Sequence, residues 1–169
     1  GYAIQYIQFL EKNKLEDDLL EFYNSYANLL CKQEKYKVAR YHYDKAYNYY
    51  KTKKNYKECA NVFNNISILL INTGQYDSAL IYNSLSAEIY KANKDISAYP
   101  NSILGYAEIM IKKGNIEKAE VKAREALSLY QKANIGLGVA NTYLVLGEIY
   151  FLKKEFQKAI VSYSEALIF

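Results

Sequence analysis

The hydrophobic positions of this 169-residue chain follow a helical rhythm that recurs every forty residues. Ala39, Ala79, Ala119 and Ala159 mark the register. With each unit numbered so that these alanines stand at position 20, matching columns appear. Position 4 reads Tyr23, Phe63, Ile103, Tyr143; position 7 reads Tyr26, Ile66, Tyr106, Leu146; position 11 reads Leu30, Leu70, Met110, Tyr150. Position 8 is small throughout (Ala27, Ser67, Ala107, Gly147), and so is position 27 (Ala46, Ser86, Ala126, Ala166). Position 17 is bulky: Tyr36, Tyr76, Ile116, Phe156. The spacing 4, 7, 8, 11 is one face of a helix, and 17, 20, 24, 27 is one face of a second. Gly74 and Gly114 mark the break between them, since glycine readily ends a helix; Glu34 and Lys154 stand there in the outer units, so those two turns lack that signal.

First helices are therefore predicted over 16–33, 56–73, 97–113 and 136–153, and second helices over 1–13, 36–53, 76–92, 116–132 and 156–169. Pro100 is predicted to delay or kink the third first-helix, because inside a helix it removes a hydrogen bond. Asn83 and Ala123 at position 24 predict looser packing in mid-stack. Each unit is a helical hairpin that cannot bury its apolar face alone and must stack on its neighbours. The organisation read from the sequence is 1–15 as the second helix of a preceding, truncated repeat, then repeats over 16–55, 56–95, 96–135 and 136–169, together one solenoid domain.

These columns resemble the tetratricopeptide repeat, whose first helix carries a large residue, a small one and an aromatic, and whose second carries alanines. The usual unit has about 34 residues and closes on proline; here Lys51, Lys91 and Gln131 replace that proline and both helices run longer. Such forty-residue units are similar to those of bacterial peptide-responsive regulators and of sensor proteins with helical-repeat input domains. The resemblance implies an all-α, right-handed superhelical solenoid of antiparallel hairpins, four complete units plus one N-terminal helix, that binds a protein or an extended peptide in its concave groove. Chaperone-binding members hold a C-terminal carboxylate with basic residues and two asparagines. Asn28 and Asn65 fall at the asparagine positions, but Asn24, Asn101 and Gly105 stand at the basic ones, which argues against such a clamp.

Composition adds little to this picture. A net charge of +4 selects no partner, and no apolar run approaches the ~20 residues of a membrane span. The chain opens within a unit, with Tyr2 to Leu10 aligning to His42 to Tyr50, and stops at Phe169 without a polar capping helix. It therefore reads as a fragment, with Gly1 as a cloning remnant, flanking repeats or an effector domain outside it, and its compartment undetermined. Cys31 and Cys59 lie on first helices that run parallel, offset by twelve residues or about 18 Å, too far for a disulfide. Two free thiols are expected. The twenty tyrosines fit the codon bias of an AT-rich genome, and a tyrosine packs its ring in a thin solenoid while its hydroxyl stays wet.

No chemistry-bearing constellation emerges. His42, the only histidine, has no spaced Cys, Asp or Glu partner and reads as a surface or packing residue. Gly136 and Gly138 follow no strand, so they make no phosphate loop, and Asp17 and Asp18 read as helix N-terminal charges. No catalytic, cofactor or metal residues are assigned. Between Lys32 and Lys57 nine basic residues (Lys32, Lys35, Lys37, Arg40, Lys45, Lys51, Lys53, Lys54, Lys57) face Glu34 and Asp44 with tyrosines interleaved. That pattern superficially suits nucleic acid. Most of it falls on the second helix and its turn, where a solvated convex face is the better reading.

The candidate binding stripe lies on the first helices. Positions 2, 5, 9 and 12 point roughly 130° away from the seam and are expected to be exposed. The stripe reads Glu21, Asn24, Asn28, Cys31; Asn61, Asn64, Ile68, Ile71; Asn101, Leu104, Glu108, Ile111; Asn141, Leu144, Glu148, Phe151, with Asn65 beside it. Asparagine offers a donor and an acceptor to a peptide backbone, and the apolar members offer pockets for side chains. Glu108 and Glu148, one repeat apart, suit a basic group. The competing reading tucks these residues against neighbouring repeats and assigns the asparagines to codon bias. Self-association through the open ends, or regulation of an enzyme whose active site lies outside the fragment, remain as alternatives.

Overall fold

The computed structural model describes residues 2–13 and 15–168; Gly1, Lys14 and Phe169 lie outside the described residues, as do the side chains of Ala3, Ile4, Glu11, Glu16, Asp17, Leu20 and Glu21. Nine helices follow one another among the described residues: α1 (Tyr2–Lys12), α2 (Glu16–Lys32), α3 (Tyr36–Thr52), α4 (Tyr56–Asn72), α5 (Tyr76–Ala92), α6 (Tyr99–Lys112), α7 (Ile116–Lys132), α8 (Gly136–Leu152) and α9 (Phe156–Ala166). The chain is an all-α solenoid. Each helix packs on the next, and α2, α4, α6 and α8 also approach in series, whereas the backbones of α3, α5, α7 and α9 stand further apart, with the Arg40 side chain of α3 reaching Tyr82 of α5. The first helices thus form the inner layer and the second helices splay outward.

The small columns account for this layering. Ala27, Ala107, Ala39, Ala79, Ala119, Ala46 and Ala126 are fully buried where helices cross. In the unit that carries serine at position 8, the Ser67 hydroxyl donates to the carbonyl of Ala79 at 2.9 Å. A buried hydroxyl there needs a partner, and the close approach of two small columns supplies it. Mid-stack packing is not loose: Ala123 is fully buried and Asn83 nearly so. Asn83 fits because α6 presents Gly105 to it; a Cβ on Gly105 would come within 2.8 Å of Asn83 Nδ2.

The turns repeat at half the sequence period. Glu34, Lys54, Gly74, Lys94, Gly114, Asn134 and Lys154, spaced by twenty residues, all adopt left-handed backbone with φ between 52° and 74°. After each, the next N–H reaches back five residues, as in Lys35 N to Leu30 O (2.9 Å), Gln75 N to Leu70 O (2.8 Å) and Glu155 N to Tyr150 O (2.8 Å). These are Schellman closures. The turns at Glu34 and Lys154 therefore match the glycine turns, although an L-residue there costs about 1–2 kcal/mol relative to right-handed backbone. Only α6 departs from the pattern. It is 14 residues long where the other described helices of the same layer have 17, and it starts at Tyr99 because Pro100 occupies its first turn.

Candidate binding face

Among the described residues α4 and α6 have two neighbours in their own layer, one on each side, while α2 and α8 have one each, and that decides which stripe residues reach solvent. Asn24 at position 5 accepts a hydrogen bond from Asn65 Nδ2 of the following unit at 3.1 Å, so position 5 faces the next first helix. Leu104 and Ile111, at positions 5 and 12 of α6, are each only 7% exposed. The expectation that the whole stripe is open fails at these two residues, because α8 lies against them. Leu144 and Phe151 hold the same positions in α8, where no further first helix follows among the described residues, and are 49% and 58% exposed. Asn64 and Ile71 are half-buried. Position 5, and on α6 position 12 as well, thus forms the seam between units, whereas Cys31 at position 12 of α2 lines a cleft.

The surface that faces the hollow lies one step round, at positions 2, 6, 9 and 13. On α2 and α4 it forms a cleft of about 330 Å³ lined by Asn28, Cys31, Lys32, Tyr43, Asn65, Ile68 and Asn72. Asn28, Asn65 and Ile68 were legible as stripe or flank residues; Lys32 and Asn72 at position 13 were not. The missed signal was that 2, 6, 9, 13 is as regular a helical stripe as 2, 5, 9, 12.

Most of the polar rungs are already held by the protein. Tyr43 donates to Asn28 Oδ1 at 2.5 Å, with Cys31 Sγ 3.6 Å from the same hydroxyl. Tyr90 donates to Asn61 Oδ1 at 2.6 Å, while Asn61 Nδ2 reaches Glu58 at 3.0 Å. Tyr130 donates to Asn101 Oδ1 in the same way one unit later. Tyrosine at position 31 thus anchors asparagine at position 2, and burial, followed by the nearby Glu108 carboxylate, pushes the Tyr130 hydroxyl up to about 12. Asn101 and Asn141 are exposed.

On α6 and α8 the face carries charge. Burial first, then the neighbouring Glu148 carboxylate, raises the pKa of Glu108, with Lys112 opposing the shift. Glu148 is held by Lys112 Nζ at 3.4 Å in an exposed pair. Elsewhere, Cys31 and Cys59 are free thiols. His42 packs between the rings of Tyr23, Tyr26 and Tyr41, and its pKa is lowered by burial and then by Lys45. Lys45 and Arg40 lie over tyrosine rings on the outer side, so part of the basic run is engaged with aromatics. Among the described residues no three His, Cys, Asp or Glu gather as metal ligands, and no helix is long and apolar enough to cross a membrane.

No curated protein sequence matches this chain. Among solved structures it is similar to BtubC (BKLC) from P. vanneervenii, at 18% identity and a TM-score of 0.72, over 88% of this chain and 61% of that one. It is similar to aspartyl phosphate phosphatase F from Bacillus subtilis at 14% identity and a TM-score of 0.81, over 90% of this chain and 40% of that one. A putative kinesin light chain with nearly identical TPR-like repeats from Podosopora anserina matches at 10% identity and a TM-score of 0.69, over 98% of this chain and 82% of that one. The chain spans less than two thirds of the first two. At these identities the likeness is one of fold, a fold generally used as a protein-interaction scaffold. The family model of the tetratricopeptide repeat matches residues 18–92, and the same columns continue in the same hairpins through α9. Residues 18–92 match the tetratricopeptide repeat, and the chain as a whole has the fold of a TPR-like solenoid.

Proposed function

We propose that this chain is a non-catalytic peptide- or protein-binding module, serving as the sensor or scaffold segment of a larger bacterial signalling or transcription-regulatory protein. The observation that carries this reading is the inner cleft between α2 and α4, where amide groups, Lys32 and the exposed Ile68 converge on one hollow. Amides and an apolar wall suit an extended backbone with an apolar side chain. Further along, the Glu108 and Glu148 carboxylates suit a basic residue in the same ligand. Forty-residue units like those of bacterial peptide-responsive regulators support the regulatory assignment.

The test is a selection of displayed short peptides on the purified chain, followed by titration of the enriched neutral and basic ones. The double variant Ile68→Asp/Asn72→Ala changes two exposed residues and leaves the seams intact. It is expected to weaken those peptides by about tenfold, or about 1.4 kcal/mol. Unchanged affinity for all of them would refute the inner cleft as the site.

A second reading is self-association, favoured by the apolar surface of α9 and its neighbour, where Phe151, Phe156, Ile160 and Val161 are all exposed. Patches of this kind mark contact surfaces. Light scattering that reports a monomer at every concentration would exclude it.

A further inference from the structure

Pro100 has no N–H to offer the carbonyl of Ile96 four residues back, so α6 retreats and residues 96–98 run as a turn. The turn is nonetheless fixed. Asp95 Oδ1 accepts from Ser97 N at 3.1 Å, Ser97 Oγ at 2.7 Å and Ala98 N at 3.0 Å, and Asp95 Oδ2 lies 3.0 Å from Lys57 Nζ. Those bonds, the one from the Ser97 hydroxyl foremost, hold the Asp95 carboxyl down at about 2. The other first helices begin directly after their turns, at Glu16, Tyr56 and Gly136.

The retreat leaves a cleft of about 300 Å³ between the C-terminal ends of α5 and α7 and the start of α6. Its walls are apolar: Ile96, Tyr99, Pro100 and Leu129. Ile96 is 72% exposed and stands at the open edge of the hollow. Around the rim stand Lys91, Lys94 and Lys132, all exposed. None of the three makes a hydrogen bond or ion pair among the described residues, and the one rim carboxylate, Asp95, is already neutralised by Lys57. A lysine at a helix C-terminus is ordinary. Three unpaired ones around a single apolar hollow make a site with a clear electrostatic complement.

We propose that this cleft docks a protein segment in which an apolar side chain of leucine or phenylalanine size is flanked by aspartates or glutamates. The hollow takes the apolar group, and the lysines meet the carboxylates around it. A membrane is the weaker match, because the site is concave and Ile96 is the only exposed apolar wall residue that protrudes toward a flat surface. The cleft sits at the ends of the outer helices, separate from the inner face, and its occupation does not depend on the reading given above.

The experiment uses a displayed library in which apolar centres carry either acidic or basic flanks, selected on the purified chain. Acidic-flanked peptides should be enriched, and their binding should weaken with added salt. It should also fall about tenfold in Lys91→Glu/Lys132→Glu, and by a similar factor in Pro100→Ala, where α6 regains its N–H bond and closes the hollow. Ile68→Asp/Asn72→Ala should leave it unchanged. Circular dichroism of each variant checks that the solenoid persists, and the surface lysine pair keeps the test decisive if Pro100→Ala does not fold. Basic peptides that respond to Ile68→Asp/Asn72→Ala report on the inner cleft; the absence of any acidic-flanked binder that weakens on the lysine reversal would overturn the proposal. So would acidic peptides that respond to the Ile68/Asn72 variant but not to the lysine reversal. Lysine-dependent binding of phosphatidylserine vesicles in the absence of any acidic peptide binder would overturn it in favour of a membrane.

Discussion

Helices α6 and α8 carry the same residues at three inner positions: Asn101 and Asn141, Leu104 and Leu144, Glu108 and Glu148. Their environments differ at every one. Asn101 accepts the Tyr130 hydroxyl, whereas Asn141 makes no hydrogen bond among the described residues. Leu104 is buried and Leu144 is half exposed. Glu108 is desolvated and raised in pKa, whereas Glu148 sits in an exposed pair with Lys112. The residues are constant and the neighbours are not: α6 lies between α4 and α8, while among the described residues α8 has α6 alone in its layer. In a solenoid a side chain's role is set by the rungs beside it as much as by its own column.

The sharpest way to break this comparison is to shave both leucines. Leu104→Ala should cost about 2–5 kcal/mol in urea unfolding, as for a buried leucine. Leu144→Ala should stay within about 0.5 kcal/mol, as for an exposed one. Equal losses would mean that both positions are seam, or that neither is.

A smaller effect separates the two glutamates by pH. Glu108 has a folded pKa above its unfolded value of about 4.3, so the folded chain binds its proton more tightly. Its ionisation therefore removes stability as pH rises through that range. Glu108→Gln should gain stability over the parent at pH 7, and the gain should shrink as pH falls toward 4. Glu148→Gln should show no gain, since it gives up the pair with Lys112. A pH-independent difference for Glu108→Gln would place that carboxylate in water.

Much of the fold was legible because it rests on columns. The alanines at position 20 and the small residues at positions 8 and 27 announce helix crossings, and the observed helices start and stop within about three residues of expectation. The turns were less legible. Two of the seven carry glycine, while Glu34, Lys54, Lys94, Asn134 and Lys154 are held in left-handed backbone by closures on either side that no single residue announces. The site was legible only in part. Helical geometry placed the stripe on the inner layer but could not fix its rotation within about one residue, and that residue decides between the seam at Leu104 and the hollow at Asn65 and Asn72. The tyrosine–asparagine bonds escaped because positions 31 and 2 meet only once the hairpin has folded.

Amide hydrogen exchange of the chain, with and without an enriched neutral or basic peptide, addresses the central claim most directly. Bound peptide should slow exchange on the inner helices α2, α4 and α6 and leave α3, α5 and α7 unaffected. Protection confined to α3, α5 and α7 would put the ligand on the outer face and contradict that claim.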